Sequence, residues 1–100
     1  GADTFCPLGP WMVTHFSIAE ASHRQIVTRL DGREVQHGNT DQMVHTIPKL
    51  ISHISSFMTL LPGDVILTGT PAGVGPMEPG QRVEVEIEGI GTLTNTVVEV

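Results

Sequence analysis

A short hydrophobic run that leads into a glycine-rich turn is the feature that most constrains this chain. Residues 65–67 are predicted to form a short buried strand, and the segment Thr68-Gly-Thr-Pro-Ala-Gly-Val-Gly75 follows at once. Glycine permits positive φ and close approach of other groups to the main chain. Hydroxyls and bare amides at the end of a strand commonly form a pocket for an anion or an oxo acid. The alternative is a tight structural turn in which the threonines only fix the backbone.

The composition fits one globular domain. The chain has 100 residues, of which 39% are hydrophobic and 16% are charged; disordered chains are less hydrophobic and more charged. The net charge is −6 and no two of the five basic residues are adjacent, so nucleic acid is not a predicted partner. No hydrophobic run approaches the ~20 residues that cross a bilayer, so a membrane is not predicted either. The single cysteine, Cys6, fits a reducing compartment and is expected to be a small buried hydrophobe rather than a nucleophile.

Periodicity predicts several strands and one main helix. Apolar residues between 46 and 58 recur at helical spacing, with Thr46 as the N-cap and Pro48 in the first turn. Asp31-Gly32 is a strong hairpin signal. Residues 18–22 are expected to be a connector and residues 38–41 a polar loop. The predicted order, in runs of strands rather than βαβ alternation, indicates a mostly β (α+β) fold, with strands at 11–14, 25–30, 33–37, 65–67, 82–88 and 92–98.

Two groups of ionisable residues are candidates for a metal or acid–base site. Glu84, Glu86 and Glu88 lie on one side of a predicted strand, where they form either a cation site or the solvated face of an amphipathic strand. The five histidines match no compact zinc motif. Only His37 and His45, which flank the polar loop, are of interest as site residues; the alternative is an ordinary surface role.

Three polar clusters remain, and we expect that they meet at one cleft or else serve only as turns. These are Asp3-Thr4, Gly38-Asn39-Thr40 and Thr68-Gly69-Thr70. The chain has no serine-hydrolase elbow, phosphate-binding loop or zinc-protease helix. A serine- or zinc-hydrolase function therefore has no support.

Four blocks of sequence, in order and at the right spacing, resemble the C-terminal catalytic domain of the fumarylacetoacetate hydrolase family. The resemblance covers essentially all 100 residues. It is nearest to the branch of acylpyruvases, oxaloacetate decarboxylases and 2-hydroxyhepta-2,4-diene-1,7-dioate isomerases. The blocks are Asp3-Thr-Phe-Cys-Pro-Leu-Gly-Pro-Trp11, Gln36-His-Gly-Asn-Thr-Asp-Gln-Met43, the helix end Phe57-Met58, and Pro62-Gly-Asp-Val-Ile-Leu-Thr-Gly-Thr-Pro-Ala-Gly-Val-Gly75.

The resemblance implies a fold and an activity. The fold is a mixed β-sandwich roll with one main helix, and residues 1–100 are the C-terminal portion of a single catalytic domain, so the roll is incomplete in this chain. The implied enzyme is a cytoplasmic homodimer, or a mitochondrial one in a eukaryote. It binds Mg²⁺ or Mn²⁺ and hydrolyses, isomerises or decarboxylates a 2-oxo (acylpyruvate-like) or 2-hydroxy-dienoic acid through a metal-stabilised enolate.

The resemblance also implies roles for individual residues. Thr68 matches a threonine that hydrogen-bonds the substrate, Gly69 gives close backbone access, and Thr4 matches a position close to the metal. No residue of the chain matches a catalytic acid or base. The family's Glu-x-Glu and Asp metal ligands precede this region, and Glu84-x-Glu86 lies too late to be that pair. We therefore expect part of a longer polypeptide, and the alternative is a non-catalytic folding or dimerisation module.

Overall fold

A computed structural model describes residues 4–99 of the chain. The regular elements, in chain order, are α1 (Ile18–Ala21), β1 (Gln25–Leu30), β2 (Arg33–Asn39), a 3₁₀ helix (Thr40–Gln42), α2 (Ile47–Ser55), β3 (Arg82–Ile87) and β4 (Gly91–Thr96). The four strands form one antiparallel sheet in the order β2-β1-β3-β4. The predicted α+β class with one main helix is confirmed.

The β1–β2 hairpin turns where the sequence predicts it. Asp31 and Gly32 have φ values of 50° and 81°, the positive angles that a two-residue turn matching the strand twist requires. Asp31 also connects the turn to β3: its carboxylate accepts a hydrogen bond from the Arg82 N–H at 2.8 Å, and its own N–H donates to the Arg82 carbonyl at 2.9 Å. The hairpin is therefore aligned on the strand beside it.

The sheet has one apolar and one charged face. Directly opposite residues of neighbouring strands share a face, and the pairs Ile26–Ile87 and Leu30–Val83 form an apolar one. On the reverse side the Arg29 guanidinium lies 3.0 Å from the Glu86 carboxylate and 4.0 Å from that of Glu84. The glutamates of β3 therefore belong to the charged face of an amphipathic strand, as one of the two sequence interpretations predicts. The apolar face, as the term is used below, comprises Ile26, Leu30, Val83, Val85 and Ile87.

The short helix α1 begins with a capping box. The Ser17 hydroxyl accepts from the Glu20 N–H at 3.1 Å, and the Glu20 carboxylate accepts from the Ser17 N–H at 3.3 Å. These hydrogen bonds, helped by the nearby Arg24 charge, hold the pKa of Glu20 below its ordinary value of 4.5. The signal for this helix is Ser-x-x-Glu, and reading residues 18–22 as a connector was wrong.

Helix α2 is the predicted helix in a shorter form. The Thr46 hydroxyl accepts from the Lys49 N–H at 3.3 Å, as an N-cap does, and Pro48 lies in the first turn. Leu50 and Ile54 of the apolar stripe are half-buried. Residues 57 and 58 lie beyond the C-terminal end of the helix and are exposed.

The described residues do not enclose a hydrophobic core. No apolar side chain of residues 4–99 is fully buried, and Trp11, Leu67 and Val74 are 64%, 75% and 78% exposed. The accessible surface is 7626 Å², whereas a folded monomer of 10.7 kDa has about 5,500 Å². The radius of gyration, 14.9 Å, also exceeds the roughly 13 Å of a 100-residue domain. The apolar face is therefore open to further packing.

Several predicted elements differ from the structure. Residues 11–14 and 65–67 are not strands, because neither segment has a partner strand among residues 4–99. Strand β2 continues to Asn39, so the predicted polar loop at 38–41 is half strand and half 3₁₀ helix. Cys6 is exposed rather than buried. Neither helix within the described range has the length and hydrophobicity to span a bilayer.

Candidate functional site

The glycine loop, residues 68–75, is hydrogen-bonded to β2 through one side chain. The Gln36 amide nitrogen donates to the Thr70 hydroxyl at 2.9 Å and to the Pro71 carbonyl at 2.8 Å. These bonds join parts of the chain that are 34 and 35 residues apart. Gln36 therefore determines where the loop, and Thr68 with it, lies over the sheet.

Two glycines allow the loop to lie this close to the strand. Gly73 has φ +108°, and a Cβ on it would overlap the carbonyl oxygen of Val35, so no L side chain fits there. Gly38 of β2 is buried, and a Cβ on it would lie 3.3 Å from the Pro71 ring. The loop thus lies against β2 through the Gly73 backbone and the Pro71 ring.

A cavity of about 320 Å³, here called the threonine cleft, lies between the glycine loop, the end of β2 and α2. This volume is at the small end of the range for ligand pockets. Thr68 and Gly69 both line it, and a Cβ on Gly69 would meet no atom within 4 Å. The Thr68 hydroxyl forms no hydrogen bond with another part of residues 4–99. The cleft is lined by Ile26, Gly38, Asn39, Thr40, Gln42, Met43, Val44, His45, Leu50, Thr68, Gly69, Thr70 and Pro71.

A second cavity of about 740 Å³, the sheet cavity, lies between the apolar face and residues 66–77. Ile26 and the four residues Thr68 to Pro71 line both cavities. The first half of the glycine loop therefore borders both the threonine cleft and the sheet cavity.

The polar side chains at the end of β2 form hydrogen bonds with backbone groups around the cleft. The Asn39 side chain accepts from the Asp41 N–H at 3.0 Å, and the Asn39 N–H donates to the Gln42 side chain at 2.9 Å. The Thr40 hydroxyl accepts from the Arg24 N–H at 2.9 Å and donates to the Ala21 carbonyl at 2.7 Å. These bonds use the Thr40 hydroxyl and the side-chain oxygens of Asn39 and Gln42. The donors that remain for a ligand are those of the glycine loop, the Asn39 and Gln42 amide nitrogens and the His45 imidazole.

The structure brings together two of the three polar clusters found in the sequence. The segments 38–40 and 68–70 meet at the threonine cleft. Of the third cluster, Asp3 lies outside the described residues, and Thr4, with φ 66°, lines neither cavity. His45 lines the cleft, and His37 lies elsewhere, 3.3 Å from the Glu34 carboxylate. The roles of Thr68, Gly69 and Thr4 stay predictions. Sequence reasoning missed Gln36, because nothing local marks a contact made so far along the chain.

The described residues do not form a metal site by themselves. Within residues 4–99, no three His, Cys, Asp or Glu side chains come close enough to hold a cation. Glu84 and Glu86 are paired with Arg29, and Glu88 accepts from the Gln25 N–H at 3.1 Å. No Asp or Glu of residues 4–99 lines the threonine cleft, and Mg²⁺ prefers carboxylate oxygens as protein ligands. Carboxylate ligands, where a cation is used, have to come from other residues.

Similarity to solved structures extends over nearly the whole chain. A 2-hydroxyhepta-2,4-diene-1,7-dioate isomerase from Mycobacterium marinum superposes with a TM-score of 0.91 at 53% identity, covering 98% of this chain and 38% of that one. A maleylpyruvate hydrolase from Sphingobium sp. SYK-6, solved with manganese(II) and pyruvate, gives 0.90 at 40% identity, covering 96% and 36%. The described fold is therefore part of a larger fold in these enzymes.

Sequence comparison leads to the same family. The human mitochondrial oxaloacetate tautomerase FAHD2A is 48% identical over an alignment of 103 positions, which covers 96% of this chain and 33% of the human protein. The chain thus spans about a third of the length of this relative. The model of the fumarylacetoacetate (FAA) hydrolase C-terminal domain matches residues 1–98. The chain belongs to the fumarylacetoacetate hydrolase family.

Proposed function

We propose that this chain provides one substrate-binding wall of an enzyme that acts on a 2-oxo or 2-hydroxy-dienoic acid. The reaction is a hydrolysis, an isomerisation that includes keto–enol tautomerisation, or a decarboxylation. The observation that carries the proposal is the threonine cleft, where Thr68 and Gly69 present uncommitted donors in a space of small-acid size. The related enzymes are named for acids of this kind. One is an isomerase of 2-hydroxyhepta-2,4-diene-1,7-dioate, one is a hydrolase of maleylpyruvate and one is a tautomerase of oxaloacetate.

The wall would bind and orient the acid through two donors. The Thr68 hydroxyl donates to a carboxylate or 2-oxo oxygen. The Gly69 N–H is the second donor, on a residue that has no side chain of its own and open space where a Cβ would lie. Fixed donors stabilise the negative charge that grows on an oxo oxygen as an enolate forms. Since Gln36 fixes the loop to β2, these donors are in place before the substrate arrives.

The rest of the site belongs to other residues. We place the carboxylate ligands of a catalytic Mg²⁺ or Mn²⁺ outside residues 4–99, in agreement with the lack of a cation cluster in that range. We further propose a homodimer in the cytoplasm, or in the mitochondrion of a eukaryotic source. Light scattering of the complete protein, meaning the product of the whole reading frame, measures the oligomeric state.

Replacing Thr68 tests the proposal directly. In the complete protein with Mg²⁺, Thr68→Val removes the donor and keeps the shape, so kcat/KM on oxaloacetate or acetylpyruvate should fall by about 1–3 kcal/mol of transition-state binding. Thr59→Val is the control, since Thr59 is exposed and lines neither cavity. Equal kcat/KM values for the two variants would indicate that Thr68 has only a structural role.

A non-catalytic folding or dimerisation module is the second candidate, favoured by the absence of a carboxylate cluster within the described range. Assays of the 100-residue chain and of the complete protein separate the two. We expect turnover from the complete protein alone. Turnover by the isolated chain would contradict our placement of the ligands, and a metal-loaded complete protein inert towards every 2-oxo acid would favour the module.

A further inference from the structure

The threonine cleft has one ionisable side chain in its described lining. That side chain is His45, which lies between the 3₁₀ helix and the N-cap of α2. The remaining lining consists of hydroxyls, amides, backbone and aliphatic groups. Within residues 4–99, a positive charge in the cleft can therefore come only from this imidazole.

His45 also differs from the other four histidines of the chain. Two of them face carboxylates: His23 lies 3.7 Å from Asp41, and His37 lies 3.3 Å from Glu34. The other two pack edge-on against aromatic rings, with centroid distances of 5.1 Å for His15 on Phe16 and 5.4 Å for His53 on Phe57. His45 has neither kind of partner in the described range and is exposed to the cleft.

We propose that His45 is a specificity-determining residue that binds a second carboxylate on the substrate. This inference rests on the proposed function: the glycine loop holds the 2-oxo acid end through Thr68 and Gly69, and His45 reaches the cleft from a separate segment. A protonated imidazole donates two charge-assisted hydrogen bonds. A neutral wall would leave a second carboxylate without a charged partner, so His45 makes the cleft selective for dicarboxylic 2-oxo acids.

The test compares two ligands of equal chain length, 2-oxoglutarate and 2-oxopentanoate, which differ in the distal carboxylate alone. Their dissociation constants are measured by calorimetry on the complete protein with Mg²⁺. We expect 2-oxoglutarate to bind about tenfold or more tightly, the effect of one charge-assisted hydrogen bond. His45→Gln should abolish that preference and leave 2-oxopentanoate unchanged, and His45→Lys should restore it. His53→Gln is the control, since His53 lies outside both cavity linings.

The outcomes separate this inference from the function on which it rests. An unchanged preference in His45→Gln overturns the assignment and leaves the proposed function intact. Equal weakening of both ligands overturns it too, because a structural role for His45 would not distinguish them. If the unaltered protein binds neither ligand and turns over no 2-oxo acid, both proposals are wrong.

Discussion

Replacing Gly73 by alanine is expected to separate the glycine loop from the sheet. Gly73 combines φ +108° with a backbone contact in which an added Cβ would overlap the Val35 carbonyl oxygen. The overlap is with main chain rather than with a flexible side chain, so it is relieved only when the loop moves away from β2. That movement breaks the two hydrogen bonds from Gln36.

The expected loss of stability has two parts, the cost of a positive φ for alanine and the loss of the two Gln36 hydrogen bonds. A non-glycine residue held in a sparsely populated region of φ costs about 1–3 kcal/mol. Two lost hydrogen bonds add about 0.5–1.5 kcal/mol each. Together they amount to about 2–6 kcal/mol, and a domain of 150–250 residues loses about 2–4 °C of its thermal midpoint per kcal/mol. We therefore expect the midpoint of the complete protein to fall by roughly 4–24 °C.

Two other glycines of the same loop make the experiment specific. A Cβ on Gly75 meets open space and its φ is not positive, so Gly75→Ala should change stability by no more than about 0.5 kcal/mol. Gly69 has φ +92° and open space, so Gly69→Ala should be intermediate. Circular dichroism gives the midpoints, and amide hydrogen exchange shows whether residues 69–75 have loosened. Coinciding midpoints for Gly73→Ala and Gly75→Ala would refute the close-contact argument.

Two further predictions concern hydrogen bonds of single side chains. Gln36→Leu should speed hydrogen exchange in the glycine loop and lower kcat/KM by the equivalent of about 1–2 kcal/mol. His37→Ala, on the same strand but outside the cleft, should do neither. Equal effects of the two substitutions would contradict the conclusion that Gln36 holds the loop against β2. Ionised Glu20 stabilises the start of α1, so this contribution is present above its ordinary pKa of 4.5 and is lost as the pH falls through the lowered pKa of the folded state. The protection factor of the Ser17 amide, which compares its exchange with that of an unstructured peptide at the same pH, is measured by NMR from neutral pH to about pH 3. It should fall in the unaltered protein and stay constant in Glu20→Gln.

The parts of the fold that the sequence predicts are those encoded locally. Strands β1 and β3 alternate with a period of two, Asp31-Gly32 determines the hairpin, and Thr46 with its apolar stripe defines α2. The prediction of a strand at 65–67 was wrong, because a β-strand requires a partner strand and residues 4–99 contain none for this segment. Helix α1 was missed although its Ser-x-x-Glu signal is present, since four residues give little periodicity.

The candidate site shows the same division between local and distant information. Positive φ in the glycine loop was predictable, because glycine permits it, and Gly69 and Gly73 have φ values of 92° and 108°. The position of the loop was not, since that depends on a hydrogen bond between Gln36 and a residue 34 positions away. The sequence could not distinguish His45 from His37 either, because both flank the same polar segment; the structure shows that His45 lines the cleft and that His37 lies beside Glu34.

Residues Thr68 to Pro71 border both cavities, and this has a consequence for substrate preference. Side chains that fill the space over the sheet contact the same four residues that we propose to border the acid. Exchanging Val85 for a larger or smaller aliphatic residue is therefore expected to displace the proposed donors without touching a ligand. Substrate preference in such a protein can evolve through hydrophobic packing, at positions that an inspection of ligand contacts would pass over.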